Sequence, residues 1–171
     1  IFIWWESHAA SPLLPLRLFS NRSFSMANIV GFLFFFGIFG AIFILIQFLQ
    51  VVQGANPLEA GLMTMPWTLA PFVVSPLTGL LTSRVGTRPV IVVGMALMSI
   101  GLLWSGIILD PSVEYIHFVP PFMAAGVGMS LVFAPIAAAT LQGMAPEDRA
   151  TASGTNMTVR QVGVALGVAT L

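Results

Sequence analysis

Long stretches without charge alternate along the chain with short segments that carry the charged residues. A helix needs about 20 apolar residues to cross a membrane. Four uncharged stretches reach that length, namely Ser23 to Leu58, Ala60 to Ser83, Pro89 to Leu109 and Tyr115 to Pro146. A fifth predicted segment, with Glu147 and Asp148 in its first turn, begins near Pro146 and continues to the last residue. We predict an all-α polytopic membrane protein, a single transmembrane domain fragment over 1–171, with helices at about 27–52, 60–83, 89–109, 116–144 and 147–171.

Local signals refine these helices. Short polar side chains from Asn21 to Ser25 suit the start of the first helix, and Gly54 and Pro57 suit its end. The second segment contains three prolines, which predicts a bent helix packed against neighbours. The third segment is the most uniformly apolar, and we expect much of it to face lipid. The chain lacks an initiator Met and ends inside an apolar run, so we expect a fragment whose last helix is truncated.

The arginines give the predicted helices an orientation. All six are assigned to one side of the membrane, in the first and third connecting segments or in the first turns of the fifth helix: Arg17, Arg22, Arg84, Arg88, Arg149 and Arg160. The second and fourth connections hold only acidic charge, at Glu59, Asp110 and Glu114. Segments rich in Lys and Arg remain in the cytoplasm. The odd-numbered connections are therefore predicted to be cytoplasmic.

Composition narrows the function classes. The chain is 57% hydrophobic and 7% charged, whereas soluble domains carry about 25% charged residues. With a net charge of zero, the chain lacks the basic surface typical of nucleic-acid binding. It has no Cys, which excludes disulfides and thiolate metal sites. No Asp, Glu or Lys lies in the interior of a predicted helix, since Glu147 and Asp148 fall in the first turn of the fifth, and His8 and His117 lie near helix ends. We therefore expect no enzyme, metal site or cofactor, and any proton-carrying carboxylate must lie outside this chain.

The connection between the second and third helices holds the first candidate site. Its residues Gly79, Ser83, Arg84, Gly86 and Arg88 combine two glycines with two arginines in a short predicted turn. A plain cytoplasmic turn is one interpretation. A gating loop, whose arginines form ion pairs that lock one conformation, is the other.

The fifth helix holds the second candidate site. Asn156 and Arg160 share one helix face, and Gly163 and Gly167 form a G-x-x-x-G pair that allows close helix approach. A charge at the depth of Arg160 is costly, so it is usually paired or extended to the interface. These residues are candidates for a gate or a helix interface; simple packing and interface anchoring are the alternatives.

Cavity residues are harder to select in so apolar a chain. Gln47, Gln50 and Gln53 follow one another at helical spacing, and Gln47 is the deepest. We take Gln47, Phe43 and Met129 as candidates for lining a cavity, whereas Gln50 and Gln53 suit the headgroup region. Pairs of small residues predict packing contacts at Ser75 and Gly79, Ala124 and Gly128, and Ala134 and Ala138.

Several segments in order resemble the major facilitator superfamily, and more narrowly its fourteen-helix drug:proton antiporter branch of the EmrB/QacA type. The matching segments are Leu16–Phe24, Asn56–Gly61, Gly79–Arg88, Pro146–Ala150 and Arg160–Gly167. The third is similar to the superfamily's cytoplasmic loop motif G-x-L-x-D-R-x-G-R-R/K. Ser83 stands where that motif has Asp, so the resemblance implies a loop that lacks the carboxylate of the family's latch.

The resemblance implies part of the C-terminal half of a transporter, with these helices equivalent to the ninth to thirteenth of fourteen. The first and fourth would line the cavity, the second and fifth would pack between the halves, and the third would lie outside. It implies proton-coupled multidrug efflux by alternating access. The implied partners are the lipid bilayer of a bacterial cell membrane, small hydrophobic or cationic solutes, protons and the remainder of the same chain.

Two alternatives remain open from the sequence. A facilitator of another solute, such as a sugar, siderophore or lipid, would have the same fold. A membrane scaffold or enzyme subunit that transports nothing belongs to a different class. It would be expected to show a catalytic cluster or a large exposed domain, and the sequence contains neither.

Overall fold

The protein is described here by a computed structural model covering residues 16–110, 112–141 and 144–170, and these residues form helices joined by short connections. Six α-helices follow in order: α1 Arg22–Gln47, α2 Pro57–Met63, α3 Met65–Val85, α4 Thr87–Ile107, α5 Val119–Leu141 and α6 Arg149–Thr170. Short 3-10 turns precede α1, α5 and α6, at Leu16–Ser20, Tyr115–Phe118 and Pro146–Asp148. The described ranges contain no strand, so the predicted all-α class is confirmed.

Helix α1 begins where polar side chains predicted a start. The Asn21 side-chain oxygen accepts hydrogen bonds from the backbone N–H groups of Ser23 at 2.9 Å and Phe24 at 3.2 Å. These are donors that the first turn of a helix leaves without a helical partner. The helix therefore begins at Arg22, before the predicted residue 27. At its other end it continues into a π-helical turn, Phe48–Val52.

The second predicted segment is bent, as its prolines indicated. Helix α2 starts with a capping box in which Asn56 and Glu59 satisfy each other's backbone N–H groups. It ends at Met63, and α3 starts at Met65 at an angle of 42° to it. The break at Thr64 lies two residues before Pro66, which stands in the first turn of α3, where its missing N–H is harmless. Two further prolines, Pro71 and Pro76, lie inside α3.

A single glycine joins α3 to α4. Gly86 ends one helix and precedes the next, with φ of 87° and ψ of 165°. This conformation is open almost exclusively to glycine, because a Cβ would clash with the backbone. The sharp reversal predicted for the Gly79–Arg88 loop therefore depends on Gly86.

Three helical segments of the described ranges are long and apolar enough to cross a membrane: Arg22–Val52, Thr87–Ile107 and Tyr115–Leu141. The bent pair α2 and α3 makes a fourth if it is taken as one span. The fifth predicted span corresponds to α6 and stays a prediction. Helix α6 forms, but its Thr, Ser, Asn, Arg and Gln residues make it too polar to meet the same criterion.

The described chain divides into two compact units. The first unit contains residues up to 40 together with 136–170, and the second contains 41–135. In the first unit, a small buried cluster lies beside the start of α1, formed by Leu18, Phe24, Met144 and Ala152. In the second unit, α5 contacts both α3 and α4 through buried small residues that are described below.

Candidate functional site

The α1–α6 interface of the first unit brings the backbones of two helices together at two glycines. A methyl group on Gly163 would lie 2.7 Å from the carbonyl oxygen of Phe32, and one on Gly167 would collide with the carbonyl of Phe36. Both glycines are buried. Their spacing of four residues matches that of the two phenylalanines, so one face of α6 follows one face of α1.

A buried amide pair continues this interface towards the start of α1. The side-chain nitrogen of Asn156 donates to the side-chain oxygen of Asn28 at 3.1 Å, and the Asn28 nitrogen donates to the Phe24 carbonyl at 2.9 Å. Both asparagines are less than 5% exposed. Because buried amides cost free energy unless they are hydrogen-bonded, this pair favours one register of the two helices.

Arg160 lies between the amide pair and the glycines. Its guanidinium carbon is 4.2 Å from the centre of the Phe35 ring, within the range of a cation–π interaction. Gly31 of α1 faces Asn156 and Arg160. A methyl group on Gly31 would be at ordinary van der Waals distance from both side chains, so the glycine leaves space at this point of the interface. The structure therefore places four predicted residues along one interface, Asn156, Arg160, Gly163 and Gly167.

The sequence did not identify Asn28 or Phe35 as parts of this site. Asn28 is a lone amide in an apolar helix, and its partner lies 128 residues further along the chain. Phe35 is one of many phenylalanines on α1. Neither residue carried a distinguishing local pattern.

The loop candidates lie at the end of α3 and the start of α4. Ser83 donates its hydroxyl to the Leu80 carbonyl at 2.8 Å, so the group that replaces the motif's Asp bonds within its own helix. Arg84 and Arg88 are exposed, and a methyl group on Gly79 would meet no atom within 4 Å. Within the described residues, this loop is a tight glycine turn with two solvent-facing arginines.

The cavity candidates Phe43, Gln47 and Met129 belong to the second unit. Phe43 and Gln47 are exposed side chains near the end of α1, spaced one turn apart. Met129 is half-buried on α5. Gln53 donates to the Val113 carbonyl at 3.4 Å, which fixes it to the connection before α5.

The α4–α5 interface was not predicted. The buried residues of α4 form one stripe, which consists of Val90, Gly94, Met98, Gly101 and Ser105. A methyl group on Gly128 of α5 would lie 2.6 Å from the Gly94 carbonyl oxygen and 2.5 Å from the Met98 nitrogen. The remaining faces of α4 are largely exposed, as expected for a helix that faces lipid.

A second face of α5 contacts α3. A methyl group on Gly126 would lie 2.5 Å from the carbonyl oxygen of Trp67. One turn further along α5, the Ser130 hydroxyl is 3.4 Å from that of Ser75 and 3.5 Å from that of Thr78. Helix α5 therefore uses two glycines, two residues apart, to approach two different helices.

The predicted small-residue pairs gave mixed results. Gly128 and Ser75 do contact neighbouring helices, as stated above. Gly79, Ala134 and Ala138 make no such close contact inside the described chain, since Gly79 faces open space and both alanines are exposed. The four-residue spacing of small residues alone therefore did not distinguish helix interfaces from exposed helix faces.

Four buried aromatic side chains form a continuous row in the second unit. Their ring centres are 6.2 Å apart from Phe48 to Phe118, 5.8 Å from Phe118 to Phe122 and 6.2 Å from Phe122 to Trp67. Each is at most 8% exposed. We call these residues the aromatic row; Phe48 lies in the π-helical turn and Phe118 in the 3-10 turn before α5.

The geometry defines a polytopic helical membrane protein whose described helices are held by close glycine contacts and by buried polar contacts. The family model of the Major Facilitator Superfamily matches residues 5–168, and the chain belongs to that superfamily. It is a multi-pass protein of the cell membrane.

Named relatives refine this membership. The chain is 31% identical over its full length to the multidrug resistance protein Stp of Mycobacterium tuberculosis and covers 32% of that protein. It is 33% identical over 99% of its length to the multidrug transporter protein MdtP of Bacillus subtilis, covering 31%. It is 27% identical over 96% of its length to the multidrug export protein EmrB of Escherichia coli, covering 32%. The chain thus spans about one third of the length of these relatives.

Proposed function

We propose that the chain is part of a secondary active transporter, not an enzyme, and that the whole protein exports several drugs by alternating access driven by protons. The supporting observation is similarity over 96–100% of this chain to three relatives that are named for multidrug resistance, transport or export. The described ranges contain no group of three or more His, Asp or Glu side chains that could hold a metal ion, and the proposal needs none.

Within this proposal the α1–α6 interface is a gate or helix contact that changes during transport. Arg160 is the charged residue within these helices, away from their ends, and Asn156 and Asn28 form the hydrogen bond beside it. Moving α6 along α1 would require this hydrogen bond and the contact between Arg160 and Phe35 to be remade in a new register. Such discrete rearrangement suits a two-state mechanism.

Hydrophobic or cationic solutes would meet Phe43, Gln47 and Met129 in the cavity. Protons would be carried by a carboxylate elsewhere in the protein, because the described helices bury no Asp or Glu. The Gly79–Arg88 loop would act as a cytoplasmic turn with a weakened latch, since the Ser83 hydroxyl bonds to its own helix.

The test uses the full-length protein in proteoliposomes. A proton gradient is imposed and the movement of a lipophilic cation, ethidium, is followed by fluorescence. Gradient-dependent export that a protonophore abolishes is the expected result. Absence of movement, with protein shown to be folded and correctly oriented, would contradict drug export and favour a facilitator of another solute.

A further inference from the structure

Trp67 carries an unusual polar group. Among residues 16–110, 112–141 and 144–170, its indole nitrogen is the one buried side-chain nitrogen or oxygen without a hydrogen-bond partner. The side chain is 3% exposed, so bulk water does not satisfy the N–H. Buried donors without acceptors cost free energy and are rare in native folds. The indole N–H of Trp67 therefore needs a hydrogen-bond acceptor that the described residues do not supply.

The backbone around Trp67 is also irregular. Pro71, four residues further on, has no N–H, so the Trp67 carbonyl cannot receive the usual helical hydrogen bond. Gly126 of α5 covers this carbonyl at close range. Trp67 thus lies where α3 lacks one backbone hydrogen bond and where its carbonyl is packed closely against Gly126.

Three interruptions of regular helix meet at the aromatic row that ends on Trp67. They are the π-helical turn with Phe48, the 3-10 turn with Phe118 and the break between α2 and α3 at Thr64. The Tyr115 hydroxyl donates to the Met63 carbonyl at 3.0 Å and so connects two of them. Membrane transporters commonly form solute sites where helices are interrupted, and π turns often mark functional positions.

We propose that Trp67 is the hydrogen-bond donor of a solute site, closed in this structure, whose apolar wall is the aromatic row. The site rests on the proposed transport function. Its solute is a flat aromatic compound that carries a hydrogen-bond acceptor, such as a carbonyl oxygen or a ring nitrogen. The rings supply stacking surface, and the indole N–H discriminates between compounds with and without the acceptor.

The experiment compares 9-fluorenone with fluorene, two flat aromatic compounds of nearly the same shape, of which only fluorenone has a carbonyl. Affinity for detergent-solubilised full-length protein is measured by equilibrium dialysis for wild type and Trp67→Phe. Comparison of the two proteins for each probe cancels unequal partitioning into detergent. Trp104→Phe is the matched control, because Trp104 belongs to the same unit but is 45% exposed.

We expect Trp67→Phe to weaken fluorenone binding about fivefold, the effect of one hydrogen bond worth about 1 kcal/mol. Fluorene binding should change less than about twofold, since it has no acceptor. Trp104→Phe should affect neither compound. If Trp67→Phe lowers the affinity for both probes equally, Trp67 contributes only apolar contact. If it lowers neither affinity, the site lies elsewhere. Either outcome overturns the proposal.

A second measurement examines the N–H itself. In protein labelled with ¹⁵N at the indole nitrogens, the Trp67 signal is the one that disappears in Trp67→Phe. We expect its proton to resonate upfield without probe and to move downfield with fluorenone, not with fluorene. A downfield signal before probe is added would show that water or another group already accepts the hydrogen bond, which contradicts the proposal.

These results are separable from the transport assay. Ethidium export with no Trp67-dependent preference would remove the site and leave the proposed function. A Trp67-dependent preference for fluorenone without gradient-driven export would leave the site and remove the proposed function.

Discussion

Two helix interfaces of this chain both rely on glycines for close contact, but they differ in the polar groups that they bury. At α1–α6 in the first unit and at α4–α5 in the second, glycines bring helix backbones into direct contact. The α1–α6 interface also buries the Asn28–Asn156 pair and holds Arg160 over Phe35. In the α4 stripe the one buried hydroxyl, that of Ser105, bonds to the Gly101 carbonyl of its own helix.

The difference separates two sources of helix association. Between apolar helices in lipid, close van der Waals packing replaces the hydrophobic effect, and small residues permit it. Such contacts fix distance but distinguish poorly between neighbouring registers. A hydrogen-bonded amide pair and a cation–π contact each require a particular partner. The α1–α6 interface is therefore expected to adopt a few distinct registers. We therefore expect the α4–α5 interface to govern stability and the α1–α6 interface to govern function.

The largest expected effect is on the α4–α5 interface. Gly128→Ala would place a methyl group 2.5–2.6 Å from two backbone atoms of α4, so the helices must separate. We expect a loss of about 1–3 kcal/mol in the free energy of unfolding, as for other overpacked sites. Thermal or detergent denaturation of the full-length protein measures it. Gly106→Ala in α4 faces open space and is the control, for which no loss is expected.

Gly163→Ala should have the next largest effect. Its methyl group would meet one carbonyl, that of Phe32 at 2.7 Å, so α6 needs a smaller shift than α5 does. We expect a loss of about 1–2 kcal/mol, in the lower part of the range for overpacking. The matched control on the same helix is Gly154→Ala, which has no neighbour within 4 Å. Equal stability of the two variants would show that α6 is not held against α1 at Gly163.

The amide pair should show coupling. Asn156→Leu leaves the Asn28 oxygen without this donor, and we expect a loss of about 1 kcal/mol. Asn28→Leu combined with Asn156→Leu should lose less than the sum of the two single variants, since neither amide is then left buried without its partner. A double-mutant cycle on unfolding free energies measures the coupling. Additive losses would mean that the two residues do not interact.

The smallest stability effect is expected for Arg160 and Phe35. The cation–π contact should contribute about 0.5–1 kcal/mol, so Phe35→Leu should cost about that amount beyond its lost packing. Arg160→Lys keeps the charge, while Arg160→Gln removes it. A cycle of Arg160→Gln with Phe35→Leu isolates the interaction, and a coupling energy of zero would exclude the contact.

Several features of the fold could be predicted because they depend on local chemistry. Asn21 and the Gly86 turn are each determined by the backbone groups they satisfy or the conformation they permit. The start of α2 at Asn56 and Pro57 was not predicted, because Pro57 was taken to end the preceding helix. The bend in the second segment followed from its prolines. The fifth predicted helix also formed, although its composition is more polar than that of the other predicted spans.

The interfaces themselves could be predicted only in part. A membrane helix is apolar both where it packs and where it faces lipid, so the pattern of α4 does not distinguish Gly94 from Gly106. G-x-x-x-G spacing identified Gly163 and Gly167, but the carbonyls they meet lie more than 100 residues away in the sequence. Trp67 gave no signal, because its missing hydrogen bond is a property of the packed structure.

One measurement tests most directly whether the α1–α6 interface serves function rather than stability alone. Proton-driven ethidium export is measured for full-length wild type, Arg160→Gln and Gly128→Ala in matched proteoliposomes, with rates divided by the amount of folded protein. The account predicts that Arg160→Gln melts close to wild type but loses at least about tenfold in rate, equivalent to about 1.4 kcal/mol. Folded Gly128→Ala should retain most of its rate. An Arg160→Gln protein that exports at the wild-type rate would contradict the functional role of this interface.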